Sequence, residues 1–112
     1  MSQITIHILD TSLGKPASGV NINLDHYTSG SWNQLSKGIT DTDGRIKNLL
    51  PIDKKIAKGI YRLVFDTSSY YKSIEKKGFY PSITIEFEIT DDSHYHVPLL
   101  LNPFGYSTYR GS

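Results

Sequence analysis

Three short runs of this chain repeat with a period of two, and that period constrains the fold more than any other feature. Ile4, Ile6 and Ile8 alternate with Thr5, His7 and Leu9. Val20, Ile22 and Leu24 alternate with Asn21, Asn23 and Asp25, and Ile83, Ile85, Phe87 and Ile89 alternate with Thr84, Glu86 and Glu88. Successive strand residues point to opposite faces, so each run reads as a strand with one apolar and one wet face. Such strands belong to antiparallel sheets packed on one side. Residues 59–67 ("GIYRLVFDT") and 94–101 ("HYHVPLLL") read as further strands, and a shorter one is expected near Gln34–Ile39 after a polar stretch around Trp32. The "GKPASG" cluster is a turn, and Asp43-Gly44 is a tight-turn signal from which Arg45 emerges. In "TSSYYKSIEKKGFYP", Thr67 or Ser68 can cap a helix, Tyr70, Tyr71 and Ile74 form its stripe, and Gly78 with Pro81 stops it. Seven or eight short strands with one helix of about two to three turns predict an all-β antiparallel sandwich.

The ending fits the same pattern. Terminal residues commonly fray, yet Tyr106, Thr108 and Arg110 alternate with Ser107, Tyr109 and Gly111. The closing stretch is therefore expected to be a strand built into the fold up to Ser112.

Composition bounds the function. A chain of 112 residues is expected to be a single domain spanning 1–112, burying roughly two thirds of its unfolded surface. Twelve basic against eleven acidic residues leave a formal charge of +1, which points to neither nucleic acid nor a charged membrane. No apolar run approaches the roughly 20 residues that span a bilayer. No secretory leader is read at Met1-Ser2-Gln3. The absence of cysteine excludes disulfides and thiol catalysis and fits a reducing compartment, so a cytoplasmic location is expected.

Four histidines could carry chemistry: His7, His26, His94 and His96. His7 projects from the face that its strand does not spend on the core; the plainer reading is an exposed histidine. His94 and His96, two apart on a strand, share a face at about 7 Å between Cα atoms. That spacing suits metal ligands, but a closed zinc site needs further ligands and no cysteine exists to help. A solvated pair on the outer face is the alternative, and no metal or organic cofactor is expected. Pro98 offers no ladder N–H, so its strand should be an edge or be bulged there. Arg45 by itself is a solvated turn cation. Taken together, His7, Arg45 and His96 occupy positions left over once the apolar faces are assigned to a core. A base poised near neutrality plus a fixed cation is the minimum equipment for adding water to a carbonyl.

Several ordered segments carry a resemblance: "HILDTSLGKPASGV", "TDTDGRI", "GIYRLVFDT", "FYPSITIEF" and "HYHVPLLLNPFGYSTYRGS". In these the chain resembles the 5-hydroxyisourate hydrolases, the enzyme branch of the transthyretin-like family. The closing Tyr109-Arg110-Gly111-Ser112 is similar to the enzyme branch's signature, which the hormone-carrying transthyretins replace. Departures are Tyr80, where a second Phe is commoner, and Asn102 and Phe104, where Ser and Tyr are usual.

The resemblance implies an eight-stranded sandwich with one short helix. It implies a homotetramer, a dimer of dimers, with sites at the dimer–dimer interface lined by residues of two subunits. The implied reaction is hydrolytic ring opening of 5-hydroxyisourate to 2-oxo-4-hydroxy-4-carboxy-5-ureidoimidazoline in urate degradation. The implied catalytic residues are His7, Arg45, His96 and Ser112, with His7, Arg45, Tyr109 and Arg110 binding substrate. One histidine, His7 or His96, activates water while the other orients it or protonates the leaving ring nitrogen. Arg45 holds the oxygen-rich substrate, and Ser112 supplies a hydroxyl and a terminal carboxylate. The alternative is a transthyretin-type small-ligand carrier without catalysis.

Overall fold

The period-two runs form strands whose apolar faces meet. In the computed structural model, which describes residues 2–112, the strands are β1 (Ile4–Asp10), β2 (Lys15–Pro16), β3 (Asn21–Thr28), β4 (Ser31–Ile39), β5 (Gly59–Phe65), β6 (Ile83–Ile89), β7 (Tyr95–Asn102) and β8 (Gly105–Thr108). One helix, α1 (Thr67–Ser73), follows β5. The strands form two four-stranded sheets, ordered β2-β1-β7-β8 and β4-β3-β5-β6. Ile4, Ile6, Ile8, Leu99 and Leu101 from the first sheet pack against Ile22, Leu24, Leu63, Phe65, Ile83 and Ile89 from the second, all nearly or wholly buried. Thr5, His7 and His96 stay half-exposed on the outer face. Among the described residues no helix is long and apolar enough to cross a membrane.

Five details depart from expectation. β4 begins at Ser31 and takes in Trp32, and Lys15-Pro16, inside the turn cluster, pairs with Leu9 and Asp10. The helix is capped one residue earlier than expected: the Asp66 carboxylate accepts from the Ser69 amide at 3.1 Å. Its Tyr70 hydroxyl donates to the buried Asp10 carboxylate at 2.6 Å, tying α1 to the end of β1. The closing strand stops at Thr108 and is resumed only by one bridge, Gly111 to His96. Finally, β1 and β7 pair in parallel while the other strand pairs are antiparallel. The whole second sheet lies between them in sequence, so no hairpin dictates their relative direction.

Pro98 is therefore not on an edge strand, since β7 lies between β1 and β8. Tyr95 donates its amide toward β1, to Gln3, while the His96 carbonyl accepts from Gly111 on the β8 side. Alternation turns the amide position of Pro98 toward β8 as well. The ladder there is interrupted between the Leu99–Thr108 pair and the His96–Gly111 bridge. The missing donor falls in that gap, and the Pro98 carbonyl is satisfied by the Thr108 hydroxyl at 2.7 Å.

Candidate active site

Three pieces of chain meet on the outer face of the β2-β1-β7-β8 sheet. The first is the parallel pair itself. Its register places Thr5 beside His96 and His7 beside Pro98. The Thr5 hydroxyl oxygen lies 2.7 Å from His96 Nδ1 and 2.8 Å from His94 Nε2. The two imidazoles stack across it with centroids 6.3 Å apart and planes 24° apart. His94 and His96 are thus not a free solvated pair, because both turn a nitrogen to one hydroxyl. Among the described residues no three His, Asp or Glu side chains converge as metal ligands would.

The second piece is the turn 41–45. The Asp41 carboxylate accepts from the amides of Asp43 at 2.9 Å and Arg45 at 3.1 Å, an Asx arrangement that closes the loop on itself. The Gly44 carbonyl accepts from the Ile8 amide at 2.9 Å, clipping the turn to β1. Gly44 has φ +73°, and a Cβ there would stand 2.5 Å from the Ile8 carbonyl oxygen. Only glycine allows that approach. The clip leaves Arg45 exposed beside both site histidines.

The third piece is the segment after β8. The Gly111 amide donates to the His96 carbonyl at 2.9 Å. The Arg110 guanidinium lies 4.3 Å over the Tyr95 ring and reaches Ser93 Oγ at 3.3 Å. This brings Ser112 into a cavity of about 500 Å³ that it shares with Thr5, Asp41, Arg45, His94 and His96. Tyr109 and Arg110 go elsewhere: they line a separate cavity of about 300 Å³ on the other side of His96, with Phe87 and Tyr95. His96 forms a wall of both.

The electrostatics follow from this packing. Burial, then the charge of Arg45, holds His7 below the ordinary imidazole value; the Asp43 carbonyl and the Asp43 and Asp41 carboxylates push the other way without prevailing. Burial and Arg45 likewise lower His96, assisted by His94 and His7, against a hydrogen bond to the Thr5 backbone. Both imidazoles are accordingly neutral near pH 7, the form a general base requires. With Arg45 as a fixed cation beside them, the cavity can bind a flat, oxygen-rich molecule and activate water against it.

The family match agrees with this chemistry, since the HIUase/Transthyretin family covers residues 4–111. The chain belongs to that family. Within it, the chain is 50% identical over 110 residues to the 5-hydroxyisourate hydrolase of Salmonella dublin, covering 97% of this chain and 80% of that protein. It is 41% identical over 114 residues to the mouse 5-hydroxyisourate hydrolase, covering 99% and 96%. Two solved structures share the fold. Sea bream transthyretin in complex with thyroxine superposes with TM-score 0.92 at 32% identity, covering 98% of this chain and 95% of that one. The Klebsiella pneumoniae 5-hydroxyisourate hydrolase superposes with TM-score 0.85 at 33% identity, covering 97% and 98%.

Against the family expectation, Arg45, His96 and Ser112 share one cavity, and His7 adjoins them through Arg45 and Asp43. Tyr109 and Arg110 do not line that cavity within one chain. Sequence reasoning missed Thr5 and left His94 without a role. The available signal was slight: Thr5 shares the outward face with His7, two residues along.

Proposed function

We propose that the chain hydrolyses 5-hydroxyisourate, opening the ring to 2-oxo-4-hydroxy-4-carboxy-5-ureidoimidazoline in urate degradation. The observation that carries this reading is the convergence of Arg45, His96 and Ser112 on one cavity, in a chain half identical to a protein named for that activity. Water adds to the ring carbonyl and the C–N bond breaks. One proton leaves the attacking water and one reaches the departing nitrogen. A neutral histidine, His7 or His96, takes the first, and the other orients the water or delivers the second. Arg45 faces the oxygen on which charge develops, and Ser112 offers its hydroxyl to substrate. Tyr109 and Arg110 belong to the proposed binding residues, and they reach substrate through a neighbouring subunit.

That last point rests on a proposed homotetramer with sites at the dimer–dimer interface. Its support is the exposure of the site. His7 and His96 lie on an outer sheet face, and binding sites are concave and shielded. A second copy placed by two-fold symmetry supplies a roof. The exposed aromatics Phe104, Tyr106 and Tyr109 mark the same edge of the sheet. A cytoplasmic location belongs to the same proposal and is compatible with a cysteine-free sequence.

The carrier reading has the transthyretin fold in its favour, but fold does not determine function. A lining of imidazoles and guanidinium suits a polar anion better than an apolar hormone. The test is to add metal-free protein to freshly generated 5-hydroxyisourate, follow its absorbance, and measure thyroxine binding in parallel. Rapid decay without hormone binding is expected; hormone binding without decay would favour the carrier. Light scattering on the active protein is expected to give four subunits, and a fully active monomer would defeat the tetramer.

A further inference from the structure

Two imidazoles meet one hydroxyl in this site, and that hydroxyl has a single hydrogen. Thr5 Oγ1 lies at hydrogen-bond distance from both His96 Nδ1 and His94 Nε2. It can donate to only one of them, so the other must donate its own N–H to the oxygen. The protonation states of the two rings are therefore linked by geometry. Because Nδ1 of His96 is engaged by Thr5, Nε2 is the nitrogen that His96 offers to the cavity.

We propose that His94 and Thr5 are positioning residues that make His96 the general base, by relaying to His94 the proton that His96 takes from water. The proposal rests on the hydrolase reading above. In the resting protein His96 carries hydrogen on Nδ1 and donates it to Thr5, while Thr5 donates to His94 Nε2 and His94 carries hydrogen on Nδ1. When water attacks, its proton goes to His96 Nε2. The Nδ1 proton of His96 then passes to Thr5 Oγ1, and the Thr5 proton passes to His94 Nε2. His96 ends neutral with hydrogen on Nε2, and the positive charge resides on His94. Running the relay backward, His96 Nε2 hands its proton to the departing ring nitrogen and both rings return to their starting forms. No proton is gained or lost, and one histidine serves as base and then as acid.

The surroundings favour this arrangement over a lone imidazolium at His96. Burial, then the charge of Arg45, disfavours charge on that ring. The relay is also held in place from both sides. The Gly111 amide fixes the His96 carbonyl, and Arg110 Nη2 approaches the His94 carbonyl at 3.5 Å.

The test has two arms. In the first, nitrogen-15 NMR of the histidine rings of the whole protein, without substrate, reads the tautomers directly. Hydrogen on His96 Nδ1 is expected in the wild type. His94→Phe removes the acceptor for Thr5, so the hydroxyl should turn to His96 Nδ1 and move its hydrogen to Nε2. An unchanged His96 tautomer in His94→Phe would overturn the proposal. The second arm is kinetic. Thr5→Val and His94→Phe should each lower kcat about 10- to 100-fold at nearly unchanged KM, part of the about 10²–10⁴-fold that positioned proton transfer supplies. Thr5→Ser should restore kcat, and the double variant should be no worse than the poorer single one. Wild-type kcat in His94→Phe, or additive losses in the double variant, would also overturn it. Should Thr5→Val not fold, His94→Phe and Thr5→Ser carry both arms. A wild-type protein inactive on 5-hydroxyisourate would defeat the hydrolase reading, while the tautomer arm, which needs no substrate, still judges the hydrogen-bond link.

Discussion

Replacing Gly111 by alanine should separate activity from stability, because this glycine lies against the ring of His96. A Cβ at residue 111 would stand 2.5 Å from Cδ2 of His96, 3.2 Å from Cγ and 3.4 Å from Cβ. Carbon atoms in good contact sit about 3.5–4.0 Å apart, so ring and segment must part by about 1 Å. Gly111 is not among the glycines with positive φ, so alanine suits its backbone and only the contact is perturbed. Two responses are available: the ring turns away from Thr5, or the closing segment lifts and carries Ser112 out of the cavity. Either one misplaces a proposed catalytic group, and a shift of about 1 Å can cost about 10²-fold in rate. The fold should barely notice, because Tyr109, Arg110 and Ser112 are exposed and the segment can move. The cost should sit at the low end of the about 1–3 kcal/mol seen for overpacking, or about 4 °C in Tm. Turnover of 5-hydroxyisourate and thermal unfolding by circular dichroism would be measured on the same preparation. Wild-type turnover would refute the reasoning, as would a loss of activity that merely tracks the unfolded fraction.

Other expectations follow from the same geometry. Arg45→Lys should lose well over tenfold in kcat with the fold intact, since removing a donor to developing charge costs about 2.7–4 kcal/mol; an active Arg45→Lys enzyme would sink its assignment. The rate should stay flat through neutral pH and fall only below about 6.5, because burial and Arg45 lower His7 and His96 despite Asp41 and Asp43. The sign for stability is the same: the folded state binds fewer protons than the unfolded one, so stability declines as pH drops below about 6.5. A pH–rate profile already falling above neutrality would contradict both statements. Tyr70→Phe removes the 2.6 Å hydrogen bond to the buried Asp10 carboxylate. Denaturant unfolding should show a loss of about 1–3 kcal/mol, with kcat unchanged.

The sequence by itself determined which side of its three alternating runs faces the core, although Phe87 on the inward side is only partly buried. Ile4, Ile6, Ile8, Ile83, Ile85 and Ile89 are all buried as their alternation required, because the period-two pattern is a local property of hydrophobic side chains on a pleated backbone. It also marked the Asp43-Gly44 turn, since only a few residue types accept that backbone. What it could not determine was which strands lie side by side. The parallel pairing of β1 with β7 joins residues about as far apart as the chain allows, and no local propensity encodes it. That one pairing sets Thr5 between His94 and His96, and it carries Pro98 into an interior strand beside a gap in the ladder that tolerates it. The closing segment shows the same division. Its alternation was legible, but the approach of Gly111 to the His96 ring, beside which Ser112 enters the cavity that Arg45 also lines, is a contact between distant residues that only the packed structure decides.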